Sequence, residues 1–191
     1  MRQREFNTHN ALTNAMEVFW LKGYKGASLD DLCTAMEIGK SSFYAAFGSK
    51  YELFIKILKH YGKTSSLVSQ SAALLNKKPA KIAIELLLAS VVDRAINTKR
   101  GCMFGKTAFE FWQSDENILN VVSNGVNQVE KTFFELITRG QKNSEIPAER
   151  NAHELARFFT CTFYGLQVMA SAKVEADIFN DVIENTMKAL D

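Results

Sequence analysis

Six polar side chains fall within one short stretch, Ser28, Lys40, Ser41, Ser42, Tyr44 and Lys50 of SLDDLCTAMEIGKSSFYAAFGSKYEL, residues 28–53. Hydroxyls both donate and accept hydrogen bonds and lysines are point charges, a set suited to a polyanion that also presents donor and acceptor edges. On a helical wheel of about 100° per residue, Gly39, Phe43, Ala46 and Phe47 share an inner side. Ser41 and Ala45 point directly away, and Lys40, Ser42 and Tyr44 lie on the flanks. Such a small, polar outer face suits a DNA major groove about 12 Å wide, because short side chains let the helix backbone approach the base edges.

Other chemistries have little support. His9, His60 and His153 have no metalloprotease spacing, and the chain has no GxSxG, P-loop or dinucleotide fingerprint. Cys33, Cys102 and Cys161 form no CxxC or Cys/His pattern, so neither a metal site nor a disulfide framework is expected. No cofactor is implied, and an enzyme is not expected. Cys102 lies between Arg100 and Lys106, and cations favour the thiolate. That makes a redox- or electrophile-sensing regulator one alternative, beside a plain packing role for this thiol. A helical ligand-binding protein without DNA binding is another, motivated by Glu37, Ala45 and Ala46.

The elements that would carry these residues are short helices. Ser28 caps a first helix over about residues 28–36, with Asp30 and Asp31 at its positive end and Leu29, Leu32, Cys33 and Met36 on one stripe. A turn at Glu37, Ile38 and Gly39 precedes a second helix from Lys40 to Phe47, which Gly48 stops. Ser49 and Glu52 form a capping box for the next helix. Lys50 in its first turn opposes the helix dipole, a placement that a bound phosphate would reverse in sign.

With FWLKGYKGASLDDL before the turn and KSSFYAAFGSKYEL after it, the segment resembles the DNA-binding domain of TetR-type transcriptional regulators. Tyr44, Phe47, Lys50 and Leu53 stand at that family's aromatic, aromatic, lysine and leucine spacing, and the likeness covers roughly residues 5–60. The resemblance implies that Lys40 and Tyr44 contact phosphates or groove edges, that Lys50 anchors the DNA backbone, and that Ser28 holds a phosphate. Ser41, Ser42 and Ala45 would then read bases. The chain departs from the pattern at Glu37, where glycine is usual, at Gly39, where a capping serine is expected, and at Ala45 and Ala46, where a basic residue or histidine often stands.

The 191 residues are 47% hydrophobic and carry a net charge of +2. Up to residue 63 there are nine basic and six acidic residues, and beyond it fourteen basic and fifteen acidic, a modest asymmetry in the direction DNA binding needs. MRQREFNTHN has no apolar run behind it and no stretch reaches the roughly 18–20 apolar residues of a membrane span. A cytoplasmic location with no membrane partner is the expectation.

Helical periodicity dominates throughout, and only two prolines occur, so the expected fold is all-α with about nine helices. Residues 1–50 would form the helix-turn-helix DNA-binding domain and 51–191 a helical effector-binding and dimerisation domain, with a fourth helix carrying Leu53, Phe54, Ile57, Leu58 and Tyr61 as the link. Ser114 is the expected cap of a long helix over about 115–140. The last two helices, about 149–171 and 174–190, are apolar over much of their surface. Phe158, Thr162, Leu166, Ile178 and Val182 are candidates for a homodimer interface, because two heads about 34 Å apart would read both halves of a palindromic operator. Between the expected fifth to eighth helices, about 79–97, 101–113, 115–140 and 149–171, Cys102, Phe104, Phe111, Trp112, Phe163 and Tyr164 are candidates for a pocket that holds a small-molecule effector. The functional expectation is a ligand-responsive repressor, bound to double-stranded operator DNA as a homodimer and released by an effector.

Overall fold

Caps and turns organise the first half of the molecule. The computed structural model describes residues 8–64, 69, 75–98, 101–172 and 175–191. Helix α1, Thr8–Gly26, buries Ala11, Ala15, Met16, Phe19 and Trp20. It breaks at Gly23, whose φ of 74° lies in the left-handed region. The helical span nevertheless continues to Gly26, with a kink at Gly23.

Helix α2, Leu29–Met36, opens on a reciprocal capping box: Ser28 Oγ accepts from the Asp31 N–H, and the Asp31 carboxylate accepts from the Ser28 N–H. A Lys22 ammonium 2.6 Å away donates to the same carboxylate. Hydrogen bonds from Lys22 and then Ser28 lower the Asp31 pKa to about 2. Helix α2 ends at Glu37, which adopts φ 56°, ψ 38° and donates its N–H to the carbonyls of Cys33 and Thr34. The left-handed turn therefore forms without glycine, at a cost on the order of 1 kcal/mol for a residue with a Cβ.

Helix α3, Lys40–Phe47, starts at Gly39 without a side-chain cap and buries only Phe43 and Phe47. Ala46, expected on the inner side, is exposed. Helix α4, Lys50–Thr64, buries Leu53, Phe54, Ile57, Leu58 and Tyr61, spaced by three and four as an inward face requires. Its capping box is incomplete. Ser49 Oγ accepts from the Glu52 N–H at 3.1 Å and donates to the Glu52 carboxylate, but the Ser49 N–H goes to the Phe47 carbonyl.

The body comprises α5 Ala80–Thr98, α6 Met103–Glu110, α7 Glu116–Lys142, α8 Ala152–Ser171 and α9 Ala176–Met187, closed by a 3₁₀ turn at Lys188–Leu190. Asp115, not Ser114, caps α7 by accepting from the Ile118 N–H, and Asn151 caps α8. The described residues thus hold nine α-helices and no strand.

Two apolar clusters result. One joins α1–α4 to α6 and the first turns of α7 through Met103, Phe104, Phe111, Ile118 and Val122. The other lies among α5, α7, α8 and α9, around Ile84, Leu87, Phe133, Phe159 and Phe163. No helix of the described residues is long and apolar enough to cross a membrane.

Candidate nucleic-acid interface and interior cavity

On α3, packing of Phe43 and Phe47 inward leaves Ser41, Tyr44 and Ala45 exposed and Ser42 partly so. Tyr44 stands edge-on to Phe43, centroids 5.6 Å apart, which steadies an otherwise exposed ring. Lys40 pairs with Asp30 of α2 at 2.7 Å, and hydrogen bonding to that carboxylate raises the Lys40 pKa. A phosphate at Lys40 would have to compete with Asp30. The Lys50 ammonium sits 4.5 Å above the Tyr24 ring, a cation–π contact worth roughly 0.5–1 kcal/mol at a partly exposed site. Ser28 Oγ is already engaged by its own helix.

Five hydrogen bonds made by three side chains, Trp20, Lys106 and Glu110, link α1 of this head to the 101–110 segment of the body. Trp20 Nε1 donates to the Gly101 carbonyl at 2.9 Å. The Lys106 ammonium donates to the carbonyls of Trp20 and Leu21, just before the α1 break. Just beyond the break, the Glu110 carboxylate accepts from the N–H groups of Tyr24 and Lys25 at 2.9 and 2.6 Å. A Cβ at Gly23 would lie 2.9 Å from that carboxylate. Both sides of the kink are thus satisfied by charged groups of α6, the acceptor and donor each matching the exposed backbone polarity.

These roles were not readable in the sequence. Glu110 lies 86 residues from Tyr24. Helical spacing cannot match groups that distant. The Asp31 capping box did leave a local signal in Ser28-x-x-Asp31.

Behind α6 lies a small cavity of about 30 Å³, lined by Tyr61, Cys102, Phe104, Phe163, Tyr164 and Gln167 among others. Four of the six expected pocket residues therefore meet. Its fourth wall is α4, through Tyr61 and Gly62, rather than α5. Phe111 and Trp112 are elsewhere: Phe111 packs 5.3 Å from Tyr24 and 5.8 Å from Phe54, and Trp112 is 72% exposed. An outer cleft of about 690 Å³ adjoins the cavity, lined by Leu58, Lys59, Lys63, Asn124, Thr132 and Arg139 among others.

The electrostatics at Cys102 run against the thiolate alternative and with the packing role. Lys106 is committed to α1, and Arg100 lies outside the described residues. Burial pushes the Cys102 thiol pKa up, the leading effect over the opposing hydrogen bonds from the Gly105 N–H and the Tyr61 hydroxyl. Its sulfur caps α6 by accepting from Gly105.

On the outer side of α8, Phe158 and Val168 are exposed, Thr162 is partly so, and Gly165 faces open space. Ile178 of α9 is exposed and Val182 partly so. Leu166 is 1% exposed and belongs to the subunit's own core, so it is not on this face. Its register places it with Phe159 and Phe163 instead. Cys161 is an exposed thiol on the same outer side.

The head matches the family model of bacterial regulatory proteins, tetR family, over residues 11–57. Residues 83–185 match the tetracyclin repressor-like C-terminal domain. The whole chain is 25% identical to the HTH-type transcriptional regulator YezE of Bacillus subtilis, covering 99% of that protein. It is 23% identical to the HTH-type transcriptional repressor ComR of Escherichia coli, over 98% of this chain and 90% of ComR. Among solved structures, a cysteine mutant of the TetR family transcriptional regulator CifR, complexed with 26 bp operator DNA, has a TM-score of 0.84 and 33% identity, with 100% of both chains covered. The head geometry, the helical body and these likenesses show that the chain belongs to the tetR family of bacterial regulatory proteins, DNA-binding regulators of transcription.

Proposed function

We propose that this regulator is a homodimeric repressor that holds a palindromic operator and is released by a small-molecule effector. It acts in the cytoplasm and is not an enzyme. The observation that carries the reading is the exposed α3 face, where Ser41, Tyr44 and Ala45 project from a helix anchored by Phe43 and Phe47. Ser41, Ser42 and Ala45 read bases, Lys40 and Tyr44 contact phosphates or groove edges, and Ser28 and Lys50 position the backbone. Residues 1–50 serve as the DNA head and 51–191 as the effector and dimerisation part.

Dimerisation uses the α8–α9 face, through Phe158, Thr162, Ile178 and Val182, with Gly165 allowing close approach of two α8 helices. The cavity supplies the effector site. Displacing α4 or α6 from its wall moves the heads, since α4 leads back to α3 and α6 grips the α1 kink. Coupling of about 1–3 kcal/mol changes operator affinity roughly 5- to 150-fold. Burial of the Cys102 thiol does not favour the thiolate-sensing alternative.

Selection of bound duplexes from a random DNA pool tests the reading. It should recover a palindrome with half-site centres about 34 Å apart or a multiple of that spacing. Affinity for it should fall steeply with salt. A pool with no enriched sequence at low salt would sink the proposal.

A further inference from the structure

The inner cavity lies at the seam of the two apolar clusters, with Tyr61, Cys102 and Phe104 on one side and Val129, Phe163 and Tyr164 on the other. Its volume of about 30 Å³ exceeds the roughly 10–15 Å³ that admits one water. Among the described residues, no Asp, Glu, Lys or Arg lines it. The Arg94 charge reaches Cys102 and Tyr61, but its guanidinium sits over the Trp20 ring and is not among the lining groups. Burial keeps the thiol and both phenols in their neutral forms.

Within this neutral wall, Gln167 is only 7% exposed, and its Nε2 has no hydrogen-bond partner among the described residues. A buried donor left open is costly, and the cost is recovered when an acceptor arrives. The Phe104 ring borders both the inner cavity and the outer cleft, which also share Gly62, Gly125 and Gln128. It lies against two glycines. A Cβ at Gly62 would sit 3.2 Å from its Cζ, and one at Gly125 would collide with the ring.

We propose that the inner cavity is the recognition end of the effector site, where Gln167 Nε2 donates to the carbonyl oxygen of an uncharged ligand, and that the Phe104 ring is the partition this ligand displaces from the outer cleft. A wall whose described residues are all neutral favours an uncharged head group, and a carbonyl compound supplies the missing acceptor while presenting apolar atoms to Phe104, Val129 and Phe163. Because Phe104 belongs to the first turn of α6 and Glu110 to its last, displacement of the ring reaches the α1 kink through one short helix. This inference rests on the effector reading and assigns the class of ligand to it.

The test uses two uncharged probes of the same shape, cyclohexanone and methylenecyclohexane, with binding to the full-length protein followed by calorimetry. The ketone should bind about tenfold more tightly, the worth of one buried hydrogen bond. Gln167→Leu should abolish that preference and unfold at an equal or higher temperature, since it removes an unpaired buried donor. Phe104→Ala, which merges the two volumes, should speed ketone association.

Absence of ketone binding, equal binding of both probes, or a preference that survives Gln167→Leu overturns the assigned ligand class. An association rate unchanged in Phe104→Ala removes the partition. Operator affinity is read on the same samples. If the ketone binds selectively but operator affinity does not change, the link to release fails although the cavity assignment stands; if operator DNA never binds, the repressor reading fails by itself.

Discussion

The start and end of α2 in the head and the start of α5 in the body are fixed by different means. In the head, Ser28 and Asp31 close one end of α2, Glu37 closes the other, and Gly48 and Ser49 separate α3 from α4. Each determinant lies within a few residues of the backbone it satisfies. In the body, the Glu145 carboxylate accepts from the Ala80 N–H at the start of α5, and Arg139 donates to the carbonyls of Leu75 and Lys78 just before it. These partners lie 61 to 65 residues apart. A surface preset by local caps keeps its shape when presented to DNA. In the proposed mechanism the body repacks around its cavity, and α6 carries that change to the head.

The largest expected effect comes where the two regions meet. Phe54 is 1% exposed and packs 4.9 Å from Phe19, 5.0 Å from Tyr24 and 5.8 Å from Phe111, so it touches both α1 and the end of α6. Phe54→Ala should cost about 3–5 kcal/mol in urea unfolding. The loss should appear in one transition shared by helical circular dichroism and tryptophan fluorescence. Separate transitions for head and body would break the picture of a joined core.

Glu110→Ala comes next, with a loss of roughly 1–3 kcal/mol from two backbone donors deprived of their acceptor. Although the substituted residue is in the body, hydrogen exchange should accelerate at the amides of Tyr24 and Lys25 in the head. Unchanged exchange at both amides would show that the α6 grip on the kink is dispensable.

Glu37→Gly acts in the opposite direction and stays local. Relieving a left-handed residue of its Cβ should raise stability by roughly 0.5–1 kcal/mol, with no change at the cavity. A thermal shift in the destabilising direction would mean that the Glu37 side chain matters more than its backbone conformation.

The smallest effect is a pH dependence at His60, whose ring lies 5.4 Å from that of His9. Burial, and secondarily His9, lowers its pKa below 6.5. A base with a depressed pKa favours its neutral form when folded. The associated stability is therefore complete above about pH 6.5 and is lost as pH falls through the folded pKa. His60→Gln should flatten this decline in unfolding temperature between neutral pH and about pH 5. A decline as steep as in the parent protein would assign it to other groups.

What could be read from the residues follows the same division. The spans of α2 and α3, the Ser28 cap, the buried faces of α2 and α4, and the exposed Ser41 and Ala45 were all legible, since each follows from neighbours one or two turns away. The departure at Glu37 was visible too, though not its outcome: hydrogen bonds to Cys33 and Thr34 hold the left-handed turn without glycine. Where apolar residues gather, spacing alone could not assign a partner. Phe104 and Phe111 belong to the same aromatic segment, yet one borders the cavity and the other packs against Tyr24 and Phe54. Trp112 turned outward, and Leu166 turned into the subunit core.

The sequence by itself determined an all-helical chain with a helix-turn-helix near its start, because caps, turns and periodic apolar faces act over a few residues. Only the tertiary structure decided that Glu110 and Lys106 would grip the α1 kink, that Cys102 would be a half-buried thiol with a raised pKa, and that Gln167 would be left with an open donor in a cavity. Those outcomes depend on how helices distant in sequence meet and on the burial this imposes.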